Sequence, residues 1–133
     1  MVTVEQVCAL ARTLPRAYEV WVYGQRKFRV KQIVFLAISR DETTMGIAFP
    51  KDWRPIVVES EPHKFTLPRE SDLRFHWIHV RLDAIDRQEM RDLVVDGWKM
   101  VVPKYVAAAY DQAQAVPRRI SSAGTRSGSA LSD

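Results

Sequence analysis

Phe75-His76-Trp77-Ile78-His79-Val80-Arg81-Leu82 is the stretch whose reading decides the fold. Ile78, Val80 and Leu82 alternate with Phe75, Trp77, His79 and Arg81. That period of two puts the aliphatic residues on one side of a strand and the aromatic and basic residues on the other. The period then changes. Asp86 and Glu89 have capping-box spacing, and Ile85 and Met90 occupy the positions of a hydrophobic staple. Met90, Leu93, Val94, Gly97, Trp98 and Val101 continue as a helical apolar stripe. Pro103 suits the first turn of a further helix, expected to run through Val106, Ala109 and Tyr110 to Ala113.

Working back toward the N-terminus, the chain reads as more strands behind one opening helix. Thr3 and Gln6 have the spacing of a second capping box, and Val4, Val7, Cys8, Ala11 and Leu14 form its apolar face, which Pro15 ends. Tyr18–Tyr23 is rich in aromatic and β-branched residues and stops at Gly24. Lys27–Val30 and Ile33–Ile38 flank Lys31-Gln32, a two-residue hairpin turn lacking the usual Gly or Asn. Thr44–Phe49 is another strand, and a short helix is expected over residues 51–60, with Pro55 in its first turn. Residues 63–66 read as a brief extended piece, and residues 67–74 as an exposed loop.

The order is helix, strands, short helix, strand, two helices, without the alternating βαβ pattern of a parallel sheet. The expected fold is therefore α+β, an antiparallel sheet with N- and C-terminal helices packed on one face, leaving the other face free to meet water. Residues 1–116 are expected to form one domain. From Pro117 onward five serines, two glycines and three arginines leave little to bury, and residues 117–133 are expected to be a disordered tail.

Composition narrows the functional classes. The 133 residues suit one domain, and a single cysteine, Cys8, excludes an intrachain disulfide. Cys8 lies on the apolar helix face and reads as a core residue. The first residues lack the basic cluster of a signal peptide, and no apolar run approaches a membrane span. A cytoplasmic location without membrane association is the expectation. The formal net charge is +4. Residues 16–40 hold Arg16, Arg26, Lys27, Arg29, Lys31 and Arg40 against Glu19 alone, and a positive field of this kind suits an anionic partner.

Several chemistries lack their residues. A zinc site needs about four clustered ligands; the chain offers one Cys and His63, His76 and His79. His76 and His79 would project to opposite faces of a strand. Gly24, Gly46 and Gly97 are too far apart for a phosphate loop. Ser71, Asp72 and His76 are close in sequence but carry no nucleophile motif. The expectation is a non-enzymatic protein without cofactor or metal.

Two features suit nucleic acid. Arg26, Lys27, Arg29 and Lys31 surround the hairpin and could neutralise phosphates. The row of Phe75, Trp77, His79 and Arg81 sets aromatic residues beside cations.

The ordered set of signals resembles the MmcQ/YjbR family (DUF419) over about residues 3–111. It comprises Tyr23-Gly24-Gln25-Arg26-Lys27-Phe28-Arg29-Val30 with Phe35; Pro50, Pro62, Phe65 and Pro68; Trp77-Ile78-His79-Val80-Arg81-Leu82-Asp83; and Asp96, Trp98, Pro103-Lys104 and Tyr110. The resemblance implies a CyaY-like topology, that of the bacterial frataxin homologue, and DNA binding. The chain departs from the family pattern at Gln32-Ile33, where Gly-Lys is common, and at Leu73-Arg74-Phe75-His76, where a glycine-rich stretch is common. Iron binding of the frataxin type would want a ridge of acids on the first helix and strand, where only Glu5 and Glu19 stand.

The expected function is DNA binding of low sequence specificity. The nucleic-acid contacts are expected from Arg26, Lys27, Arg29, Lys31, Arg74 and Arg81, with Trp77 as a stacking residue. The alternative is an adaptor that docks a protein or small ligand on the open sheet face around Phe75, Trp77 and His79.

Overall fold

A computed structural model describes residues 1–123, and side-chain surroundings through residue 114. The chain divides into two units, Met1–Val102 and a second that begins at Pro103. In the first unit six strands form one antiparallel sheet. They are β1 (Ala17–Val22), β2 (Gln25–Val30), β3 (Ile33–Ile38), β4 (Thr44–Ala48), β5 (Phe65–Thr66) and β6 (Trp77–Arg81), in spatial order β1-β2-β3-β4-β6-β5. The expected α+β class with an antiparallel sheet is the observed one.

Helices α1 (Val4–Thr13) and α3 (Arg87–Lys99) pack against this sheet and against each other. Both open on the capping boxes legible in the sequence. Thr3 Oγ1 accepts from Gln6 N while Gln6 Oε1 accepts from Thr3 N. Asp86 and Glu89 make the same reciprocal pair. Ile85 and Met90, the staple positions, are both buried. A short helix, α2 (Arg54–Ser60), follows a single 3-10 turn at Lys51–Trp53.

The strand registers sort the side chains into two faces, because directly opposed residues in an antiparallel ladder project to the same side. One row runs Glu19, Phe28, Leu36, Ile47, Ile78, and beside it lie Ile38, Met45, Val80 and Phe65. This is the face the helices cover: a Cβ built on Gly97 of α3 would meet the Ile47 side chain at 2.8 Å. Phe28, Leu36, Ile47, Ile78, Val80 and Trp98 are all fully buried. The other face carries a row Val20, Lys27, Ala37, Gly46, His79, Thr66 that crosses all six strands.

The first two hairpin turns run through left-handed backbone. The β1–β2 turn is Tyr23 (φ 52) and Gly24 (φ 78), two positive values in succession as a type I′ turn requires. The β2–β3 turn is the expected Lys31-Gln32, with Lys31 at φ 56, and the Tyr18 hydroxyl donates to the Lys31 carbonyl. A bulge between Phe28 and Arg29 sets two β3 residues, Phe35 and Leu36, into the core together.

Two expectations need correction. The strand expected over residues 75–82 begins only at Trp77, so Phe75 is not part of the outward row. Phe75 N donates instead to Asp72 O, closing a turn after the 3-10 segment Glu70–Asp72. The last helix, α4 (Lys104–Ala123), passes the expected end at Ala113 and extends to residues 117–123, the first part of the segment read as a tail. The rest of that tail, residues 124–133, lies outside the described residues.

Candidate nucleic-acid interface

Adjacent residues of β2 point to opposite faces, and this divides the basic cluster read from the sequence. Arg26 lies opposite Trp21 on the covered side, with its guanidinium 4.9 Å from the Trp21 ring centre. Its Nη1 donates to Cys8 Sγ at 3.0 Å. Its Nε sits 3.3 Å from Glu19 Oε2, close enough for charge attraction though not aligned as a hydrogen bond. Glu19 is shared with Arg12, whose Nη2 is 3.1 Å from Glu19 Oε1. Arg26 therefore has its charge balanced inside the domain. Burial pushes the Cys8 thiol up, and the hydrogen bond and charge of Arg26 pull it back less strongly.

Lys27 and Arg29 emerge on the other face. Lys27 lies between Val20 and Ala37, and Arg29 between Tyr18 and Val34. Neither forms an ion pair among the described residues. Arg29 Nε is out of contact with water and has no hydrogen-bond partner. A buried guanidinium N–H without an acceptor is uncommon. Lys31 is exposed at the adjoining hairpin tip. Arg81 stands opposite Thr44 on this same face, with Nη2 3.4 Å from Asp83 Oδ2 in an exposed ion pair.

Trp77 also faces this way, opposite Ala48, but its indole lies flat across Gly46. A Cβ at Gly46 would come within 2.5 Å of Trp77 Nε1. Ala37, Gly46 and Ala48 form a floor of small buried residues beneath it. Trp77 is thus half-packed rather than projecting as a free stacking platform. His79 is half-buried beside it, and burial holds its imidazole below the ordinary value; the Asp72 carboxylate raises it less, and Arg69 adds to the lowering.

Arg74 stands apart from the strand cations, its guanidinium 4.7 Å from the ring of exposed Phe75 in the loop before β6. Of the residues expected to contact nucleic acid, then, Lys27, Arg29, Arg81 and Trp77 share one face of the sheet. Lys31 adjoins it, Arg74 lies on a loop, and Arg26 is on the opposite face.

Sequence reasoning missed Arg54. It is 8% exposed, and its guanidinium donates to three carbonyls: Leu73 at 2.9 Å, and Phe75 and Trp77 at 3.1 Å each. It ties the segment before β6 to α2. The only sequence signal is a basic residue preceding Pro55, which does not distinguish a clamp from a solvated side chain. Lys64 forms a similar tie, bonding Glu61 and Glu89, and these two carboxylates push its ammonium pKa up.

Among the described residues no His, Cys, Asp and Glu cluster could hold a metal ion, and no helix is long and apolar enough to cross a membrane.

A family model described as YjbR matches residues 12–100. The crystal structure of the Deinococcus radiodurans protein DR2400, which contains a DUF419 domain, superposes with a TM-score of 0.67 at 16% identity, covering 76% of this chain and 79% of that one. At that identity the likeness concerns the fold. No curated protein matches.

Proposed function

The chain belongs to the YjbR family, and from that premise we propose that it is a non-enzymatic protein that binds DNA through the phosphate backbone, using the sheet face turned away from α1 and α3. One observation carries the reading. The strands contribute Lys27, Arg29 and Arg81 to that face and no carboxylate, while Glu19, the acid of β1, points to the covered side. A sheet face whose own strand positions carry cations and no carboxylate attracts a polyanion and holds its phosphates at fixed spacing.

The same geometry accounts for low sequence specificity. Base readout needs side chains that reach base edges or stack on them. The aromatic residue at the centre of this face, Trp77, is laid against Gly46. Apart from the edge residue Tyr18, the contacts left to make are charge contacts, and these are indifferent to sequence.

Titration of a labelled duplex at several salt concentrations tests the proposal. Each phosphate neutralised lowers the slope of log K against log salt by about 0.9. A negative slope of about 2 to 4 is expected from the cations named here, with similar affinities for unrelated sequences. Absence of binding at low salt, or affinity unaffected by salt, would overturn it.

A further inference from the structure

We infer that strand β1 is a self-association edge: a second copy of this chain adds to the sheet antiparallel to β1, about a two-fold axis passing beside Val20. The inference goes beyond the nucleic-acid reading and stands on separate observations.

The sheet has two edges, and they are built differently. The β5 edge is two residues long and runs directly into Leu67-Pro68, with Pro62 just before it. Short strands and prolines are the ordinary means of blocking an edge. The β1 edge is six residues long and contains no proline, glycine or bulge. Its one charge, Glu19, is occupied by Arg12 and Arg26. Tyr18, Trp21 and Tyr23 along it are exposed, Trp21 by 61% and Tyr23 by 90%.

The backbone groups that face outward follow from the turn. Val22 and Gln25 close the two-residue turn and so exchange both of their hydrogen bonds. Bonded and non-bonded pairs alternate along an antiparallel ladder. Val20–Lys27 and Tyr18–Arg29 are therefore bonded pairs, and Glu19 and Trp21 turn their N–H and C=O groups away from β2. Neither residue's amide or carbonyl has a backbone partner in another element of the described structure.

A second β1 strand fits this pattern in one central register. With Val20 opposite its own copy, Glu19 lies opposite Trp21 of the other chain, and each such pair exchanges both backbone bonds. On one face Glu19 meets a Trp21 that already carries the Arg26 guanidinium. On the other, Tyr18 meets Val22 and Val20 meets Val20, aromatic and β-branched pairs of the kind that stabilise sheets. Moving the axis to Glu19 would oppose two carboxylates. In the joined sheet the faces turned away from α1 and α3 lie on one side, so Lys27 and Arg29 of both copies line one surface. An edge of this length covers less area than a standard stable interface, about 1,600 Å², so the dimer forms in a concentration-dependent way.

Two measurements on the full chain, without nucleic acid, test this. In sedimentation over a concentration series up to about 1 mM, the mass is expected to rise from monomer toward dimer. In amide hydrogen exchange over the same series, Glu19 and Trp21 are expected to gain protection with concentration. Val20, bonded inward, stays protected throughout and serves as the control. Trp21→Glu sets a carboxylate opposite Glu19 of the second copy while giving Arg26 a new partner within its own chain. It is expected to raise the dissociation constant by about tenfold or more, whereas Trp21→Lys retains the dimer. A chain that stays monomeric throughout, or a dimer in which the Glu19 and Trp21 amides exchange as freely as in dilute solution, would overturn the inference. The exchange experiment needs no variant and decides the matter even if a substitution unfolds the protein.

Discussion

The two faces of this sheet receive neighbouring residues of the same strand and treat them in opposite ways. On the covered face Arg26 is met by Glu19, Cys8 and the Trp21 ring. On the other face, its neighbour Lys27 and, one further pair along, Arg29 form no ion pair among the described residues. A basic run in a strand is therefore not one patch but two half-patches, and the one whose charges the fold leaves unbalanced is the one available for a ligand.

The comparison is easiest to break by emptying the covered face. Phe28→Ala removes a fully buried ring and should cost about 3–5 kcal/mol. Lys27→Ala, its neighbour on the other face, should stay within about 0.5 kcal/mol of the parent. Urea unfolding of the two variants checks both, and similar losses would mean that the faces are not differently packed.

A finer contrast uses two glycines. A Cβ at Gly97 would press on Ile47 and on the Ala48 carbonyl, which cannot swing aside. Gly97→Ala should therefore cost about 1–3 kcal/mol. At Gly46 the obstacle is the Trp77 indole on the less-covered face. Gly46→Ala should cost less, and the displaced Trp77 should show a red-shifted emission in a melting experiment followed by fluorescence.

Much of this architecture was legible in advance. The capping boxes at Thr3 and Asp86, the hairpin at Lys31-Gln32 and the alternation around Ile78 are local signals, and each produced the expected element. What escaped was set by contacts distant in sequence. Phe75 falls outside β6, in a segment whose carbonyls Arg54 holds from 19 to 23 residues away. The bulge that buries Phe35 beside Leu36 depends on the pairing of β2 with β3. The strand period alone separates Arg26 from Lys27 and Arg29, but that Cys8 would accept a hydrogen bond from Arg26 needed the packing of α1 on β1. Trp77 likewise reads as a stacking residue until Gly46 is found beneath it.

Two smaller effects sharpen the picture. Tyr23 holds φ 52 while almost wholly exposed. Tyr23→Asn, giving the Asn-Gly pair favoured in type I′ turns, should raise stability by up to about 1 kcal/mol, read as a higher urea midpoint. Smaller still is the titration of His79, which burial holds below 6.5. The unfolded chain takes up this proton near pH 6.5 and the folded chain only at lower pH. Stability is therefore undiminished above that value, falls as the pH drops toward the folded pKa, and levels off below it. Parallel unfolding curves should show His79→Gln losing less stability than the parent between about pH 7.5 and about pH 5.5, roughly one unit either side of the ordinary histidine value.

The most direct test of the division between the faces is the salt dependence of DNA affinity in two variants. Replacing Lys27 and Arg29 together with alanine should weaken binding and reduce the log–log slope by about 2. Arg26→Gln, on the covered face, should leave the slope as it is in the parent protein. An unchanged slope in the double variant, or an equal loss on replacing Arg26, would contradict the account.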